Sequence, residues 1–376
     1  MVWLSFKSKQ VLCNLASIPI NVEFMPQTNT WLTRKVLSGF AYSGVDRLYQ
    51  QMGGELGLIL TLHHVRPNKT DEFQPNAHLA IEPQFLDECI SLLKQRNYAL
   101  ISIDEAKKRI TSGDRSNRFA AFTFDDGYRN TAKFAVPIMR RHNVPYTVYF
   151  ATGFVERTAC NWWEGIEIAI ANNDKLTVKI TSKTIDISCS TVAEKNQAFE
   201  LLVKVFTQDV EELKQAKTLR DLCPKSYEQL LNHTDEDMMS WSEIKDLQTD
   251  PLCTIGAHSI DHHALARLNE DRARKEIEDG AAVLEKHLGQ RPRHFAYPYG
   301  YKAAAGPREF EWVRQAGFDT GVTTRPGLIF PEHAKHLTAL PRISLNGLFQ
   351  KSRYLAPLTS GLPTRLIGRN RKLNVS

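Results

Sequence analysis

The run Phe119-Ala120-Ala121-Phe122-Thr123-Phe124 is apolar on both faces and stops at two adjacent carboxylates, Asp125 and Asp126. Successive side chains of a strand point to opposite sides, so a strand of this kind has no solvent face and is buried on both. Gly127 follows, free to take the positive φ of a sharp exit turn. Two like charges at the end of a buried strand tolerate each other only with a cation or a proton nearby. A solvated Asp-Asp-Gly turn between a strand and a helix would read the same way from this stretch alone.

The pattern recurs along the chain. Residues 57–65 form an apolar strand ending in His63 and His64. Further short strands fall at 98–102, 145–151, 253–255, 294–297 and 318–323, and 340–345 reads as a final edge strand. Amphipathic helices separate them: 83–97 with Pro83 in its first turn, 103–110, 130–142, 269–288 with Asn269 as cap and Gly289 as stop, and 308–315. Ser240 and Glu243 have the spacing of a capping box. Strands alternating with helices predict a parallel α/β sheet. Parallel α/β barrels keep their chemistry at the C-terminal ends of the strands. His63, Asp125, Asp126, His258 and Tyr299 all fall at such ends.

His258 and His262 follow the strand at 253–255 and lie four residues apart. The spacing predicts one helical turn with both imidazoles on one face, a geometry for a divalent cation. One Asp with two His is the ligand set of an open catalytic metal site.

Three segments in this order resemble the motifs of the polysaccharide deacetylases of the NodB-homology type, carbohydrate esterase family 4. Thr123-Phe124-Asp125-Asp126-Gly127 is similar to the first, the pair His258 and His262 to the second, and Pro298-Tyr299-Gly300 to the end of the third. The resemblance covers residues 58–345, less an insertion. It implies an α/β fold, a distorted (β/α)7-type barrel of mainly parallel strands with an inserted cap. It also implies a metal-dependent hydrolase that removes N-acetyl groups from amino sugars of a polysaccharide, oligosaccharide or glycolipid, cleaving the C–N bond of a linear amide. The family's last motif, an apolar strand delivering a histidine, has no counterpart after Gly300. Members with circularly permuted order carry it ahead of the Asp-Asp motif, and Leu60-Thr61-Leu62-His63 resembles it. His63 is therefore assigned as the catalytic acid, with His64 as the fallback. A carboxylate nearby, such as Asp125, is expected to raise the His63 pKa.

The remaining roles follow. Asp126, His258 and His262 are the expected ligands of a divalent ion, Zn2+ ahead of Co2+, Ni2+ or Fe2+. Asp125 is then left as general base. The backbone N–H of Tyr299, after Pro298, is placed with the metal at the oxyanion. The family's third motif has an arginine that orients the base. Ala296 stands in its place here, and Arg342 on the neighbouring strand is the candidate substitute.

The expected domain organisation is an N-terminal extension and amphipathic helix (1–55), a deacetylase barrel (56–154 and 241–350), an inserted α+β cap (155–240) and a basic tail (351–376). The extension contains an amphipathic pattern at 31–52, and Met25 is an alternative start. Trp162 and Trp163 in the insertion have faces suited to sugar rings; packing between cap and barrel is the alternative. The tail, with Arg365, Arg369, Arg371 and Lys372, is expected to be solvated and without regular structure. A net charge of +6 in 376 residues does not demand nucleic acid, and no recognition motif for one stands out. The six cysteines have no C-x-x-C spacing and read as reduced, packed thiols. No apolar stretch reaches the ~18 residues of a spanning helix, and the first twenty residues make a poor signal peptide. A cytoplasmic location is the expectation, with peripheral membrane contact or export as the alternatives. Two rival functions stay open: a metal-dependent hydrolase of another amide or ester, and an inactive carbohydrate-binding relative.

Overall fold

The structure is a computed structural model and describes residues 54–180, 183–361 and 372–375. The amphipathic pattern at 31–52, the alternative start Met25, and Arg365, Arg369 and Arg371 lie outside the described residues.

Seven parallel strands close into a barrel in chain order. They are β1 (Gly57–Leu62), β2 (Phe119–Phe124), β3 (Tyr146–Phe150), β4 (Cys253–Ala257), β5 (His294–Ala296), β6 (Thr320–Pro326) and β7 (Leu340–Ser344). β1 pairs with β2 on one side and β7 on the other, which closes the ring. The stretch at 340–345 is thus not an edge strand. Its Leu340, Arg342 and Ile343 are all buried, as a strand paired on both sides requires.

Strand parity divides the core. Leu58, Leu60 and Leu62 of β1, Phe122 and Phe124 of β2, and Val148 of β3 join the layer that packs against the helices. Their neighbours Ile59, Ala121, Tyr149, Ala296, Val322 and Leu340 form a second cluster, the barrel interior. A leucine buried in this way contributes about 1.5–3 kcal/mol relative to an exposed one. The covering helices include α1 (Pro83–Gln95), α2 (Ile103–Ser112) and α3 (Val136–His142). The predicted helix at 130–142 opens with a π turn, Thr131–Ala135, before α3 begins.

The insertion between β3 and β4 holds helices α4 (Trp162–Ala171), α5 (Val192–Gln208), α6 (Gln215–Leu222) and α7 (Pro224–Asp237). It also holds an antiparallel hairpin, Lys175–Ile180 with Lys183–Ser188. These elements share an apolar core of their own, with Ile166, Leu202, Phe206, Leu219 and Leu230 fully buried. The chain returns to the barrel at Met238, which bridges to Tyr128.

Beyond the insertion come α8 (Trp241–Gln248), α9 (Glu270–Leu288) and α10 (Pro307–Gln315). The capping box of Ser240 and Glu243 is formed, as are the Asn269 cap and the left-handed Gly289 stop. The tail departs from its expected lack of structure: Ser352–Ser360 is a helix, α11, with Tyr354 and Leu355 buried. Lys372 pairs with Glu332 at 2.9 Å. The five described cysteines are all free. Among the described residues no helix is long and apolar enough to cross a membrane.

Candidate active site at the mouth of the barrel

β2 runs Ala121, Thr123, Asp125 along its inward face, and the register pairs Thr61 with Thr123 and Leu62 with Phe124. One step further along both strands, His63 and Asp125 leave neighbouring positions at the C-terminal mouth. The chain then turns on Asp126 (φ 71°) and Gly127 (φ 79°). A Cβ on Gly127 would lie 2.4 Å from the Phe150 ring, so this turn also needs glycine for space.

The two carboxylates have different partners. Asp125 is held by the fully buried guanidinium of Arg342 in a two-pronged bridge, Nη1 to Oδ1 at 2.8 Å and Nη2 to Oδ2 at 2.6 Å. Arg342 also donates to Thr123 Oγ1 and to the Thr323 carbonyl, both at 2.9 Å. Burial by itself would raise the Asp125 pKa. The charge and hydrogen bonds of Arg342 outweigh it and hold this carboxyl below the ordinary carboxylate range.

Asp126 faces the histidines instead. Its Oδ1 lies 3.3 Å from His258 Nε2 and 3.3 Å from His262 Nε2, and three donor atoms, one from each residue, lie within 4.8 Å of one another. His258 Nδ1 is 2.7 Å from the carbonyl of Ala296. A carbonyl can only accept, so this nitrogen carries the hydrogen, and in the neutral ring Nε2 presents a lone pair toward a carboxylate. Asp126 Oδ1 is buried and has no hydrogen-bond donor. Either an added proton on the imidazoles or a cation among the three groups removes this repulsion. The trio therefore fits a divalent cation, and the Ala296 carbonyl is the kind of outer partner that fixes a ligating imidazole.

The two histidines do not share a helical turn. They lie in an irregular loop in which Ser259 (φ 66°) and His262 (φ 56°) are both left-handed. Glu276, fully buried on α9, accepts the backbone N–H groups of Ile260 and Asp261 at 2.9 Å each, and Ser259 Oγ accepts that of His262 at 3.1 Å. These contacts, not helical periodicity, bring the rings together. Glu276 escaped the sequence reading, although it left a signal. It sits in the apolar stripe of Ala273, Ile277, Gly280, Ala281 and Leu284. Thr61 was missed as well: its hydroxyl donates to Asp125 Oδ2 at 3.3 Å.

His63 is half-buried at the same mouth, within the fields of Asp125, Asp126 and Arg342. The expected rise in its pKa is not found. Desolvation lowers it by more than the two carboxylates raise it. His64 points the other way, into a buried group with Glu164, and its ring lies 3.6 Å from that of Tyr128, tilted by 33°. His333, which follows Gly300 in the chain, lies elsewhere. His333 is buried beside the Phe330 backbone, one turn past Ile329, which pairs with the start of β1 at the opposite end of the barrel.

Pro298 is buried and Tyr299 half-buried, and Tyr299 is left-handed at φ 59°. Gly300 must be glycine here, since a Cβ would come 2.5 Å from the Thr324 nitrogen. The Tyr299 ring lies 4.7 Å from that of His262, and its hydroxyl accepts from Trp162 Nε1 at 2.7 Å. Trp162 and Trp163 are both buried, and Trp163 packs 5.1 Å from the His262 ring. A cavity of about 270 Å³ opens beside His262, walled by Trp162, Trp163, Glu212, Asp261, His263 and Arg272.

Comparison with known proteins finds chains of the same fold. Solved structures of similar fold include the Streptococcus pyogenes deacetylase PplD in complex with acetate, at 17% identity and TM-score 0.53, covering 81% of this chain and 97% of that one. IcaB from Ammonifex degensii is similar at 18% identity and TM-score 0.51, covering 82% and 98%. A polysaccharide deacetylase from Bacillus cereus aligns at 16% identity and TM-score 0.50, covering 81% and 68%. At these identities the likeness is one of fold. No curated protein sequence matches the chain. The family model for polysaccharide deacetylases matches residues 112–320, more than half of the 376, and the range holds both aspartates, both facing histidines and Tyr299. With a seven-stranded (β/α)7 barrel around these residues, the chain belongs to the polysaccharide deacetylase family.

Proposed function

We propose that the chain hydrolyses N-acetyl groups on the amino sugars of a polysaccharide, oligosaccharide or glycolipid, releasing acetate, with a divalent cation held by Asp126, His258 and His262. Zn2+ suits one carboxylate and two imidazoles, with Co2+, Ni2+ or Fe2+ as alternatives. The observation that carries the reading is the division of labour between adjacent aspartates. Asp126 faces two imidazole nitrogens at 3.3 Å, while Asp125 is fixed by Arg342 and kept ionised.

A cation bound there supplies an acidified water and polarises the amide carbonyl. The protein's own groups do the rest. Asp125 takes a proton on a carboxylate oxygen, and Arg342 stabilises the ionised form to which it returns. Protonated His63 gives a proton to the departing amine. The Tyr299 backbone N–H is the proposed donor to the oxyanion. Arg342 does from β7 what the family's third-motif arginine does elsewhere, since Ala296 offers only its carbonyl, to His258.

The deciding experiment measures bound metal and acetate release together, on a panel of N-acetylated glycans beside simple acetyl esters. Acetate from the glycans in proportion to bound metal supports the reading. Turnover of the esters alone favours the rival hydrolase, and neither activity favours the carbohydrate-binding relative.

A further inference from the structure

A second group of metal-ligating side chains lies in the seam between the insertion and the barrel, away from the Asp126 trio. A chain of hydrogen bonds leads into it. The Val65 N–H donates to Asn130 Oδ1 at 3.0 Å, which fixes the amide so that Asn130 Nδ2 donates to His64 Nδ1 at 2.8 Å. His64 Nδ1 is thereby the acceptor, and Nε2 carries the hydrogen toward Glu164 Oε1 at 3.3 Å. One oxygen of the Glu164 carboxylate is thus used. The other, Oε2, is buried and has no hydrogen-bond donor, on a side chain only 9% exposed.

Beside α4 in the insertion, α7 presents His233 and Asp237 one turn apart. His233 Nε2 lies 3.7 Å from Glu164 Oε2 and 3.0 Å from Asp237 Oδ2. Asp237 Oδ2 is likewise buried, with His233 Nε2 as its polar neighbour but no well-aligned hydrogen-bond donor. Donor atoms of the three residues all fall within 4.8 Å of one another. Two carboxylates facing one imidazole carry a net charge of −2 when the ring is neutral and −1 when it is protonated, so either way positive charge is lacking. Arg66 and Lys69 are near enough to act on the group through their fields, but neither forms an ion pair with it among the described residues.

We propose that Glu164, His233 and Asp237 form a second divalent-cation site, taking a transition metal such as Zn2+ or Mn2+ through one imidazole and two carboxylates. This donor set suits those ions, and the His64–Asn130 chain fixes Glu164 as an outer-shell partner does. Its ligands come from the first and last helices of the insertion, so a bound ion ties both ends of the insertion beside the active-site wall. That wall includes Trp163, the neighbour of Glu164 in the chain.

The test is the number of Zn2+ ions bound per full-length chain after equilibrium dialysis of metal-stripped protein. The wild type should bind two, His258→Ala one, His233→Gln one, and the double variant none. Glu164→Gln, which keeps the side-chain volume, should repeat the His233→Gln result and guards against a variant that fails to fold. Zn2+ should also raise the thermal midpoint of His258→Ala but not of the double variant. One ion in the wild type, lost in His258→Ala and unchanged in His233→Gln, overturns the proposal and leaves a protonated His233 as the bridge. One ion kept in His258→Ala and lost in His233→Gln upholds it while removing the Asp126 site, so the two readings fail separately.

Discussion

The mouth of the barrel and the insertion place charged side chains in different ways. At the mouth, Asp125, His63 and Arg342 leave β2, β1 and β7, strands locked to one another by backbone pairing. Parity decides which residues face inward, and register decides which of them meet. In the insertion, Glu164 and His233 meet because α4 and α7 pack over a separate apolar core around Leu202 and Leu230. A strand slipped by one residue would invert the whole mouth, whereas a helix can shift against its neighbour by fractions of a turn. The mouth should therefore respond to loss of a single group with loss of chemistry, and the insertion with loss of local stability.

The sharpest probe of the mouth is Asp125→Asn. Turnover should fall by about 10²–10⁴-fold, the usual range for a removed general base, with metal uptake retained. Near-normal acetate release would break the contrast at once. His63→Ala should cost on the order of 10²-fold, again with metal retained. Burial lowers the His63 pKa, so its proton is lost below the ordinary imidazole value as pH rises. The alkaline fall in the wild-type pH–rate profile should begin there and vanish in the variant. A limb that persists would show that another group supplies the proton.

Arg342→Met probes the frame of the mouth. It leaves a buried carboxylate unpaired, and should cost about 3–5 kcal/mol in chemical denaturation at neutral pH. The Asp125 pKa is depressed in the folded state, so the stabilisation is complete above the ordinary carboxylate range and fades as pH falls through the folded value. The gap between wild type and variant should accordingly narrow on acidification; a constant gap would assign the effect to packing alone. Leu202→Ala tests the other region. A cavity there should cost about 2–5 kcal/mol, with proteolysis entering at 155–240 first and turnover falling less than in Asp125→Asn. Smallest of all, Val192→Ser at an exposed position of α5 should stay within about 0.5 kcal/mol by thermal melting.

The barrel strands were readable because each is a short apolar run with turn signals on either side. Asp125 and Asp126 were readable because adjacent carboxylates at such a strand's end need an explanation. Arg342 was harder. It lies outside residues 112–320, and only the pairing of β7 with β1 brings it across the ring to Asp125. The loop of His258 and His262 misled, since an interval of four residues fits a helical turn as well as a loop with two left-handed residues. The approach of His233 to Glu164 left no sequence trace, because docking of one helix on another is set by many weak contacts spread over both.

Four of the residues around the active site, Asp126, Ser259, His262 and Tyr299, hold positive φ without being glycine. Each such residue costs on the order of 1–3 kcal/mol relative to a relaxed backbone. Glycine at any of the four would relieve that cost and remove a side chain the mouth depends on. A library of this chain selected only for survival of heat should accumulate glycine codons at these positions, and one selected for acetate release should purge them. Heritable variation at the four positions would thus report which of the two pressures a population has been under.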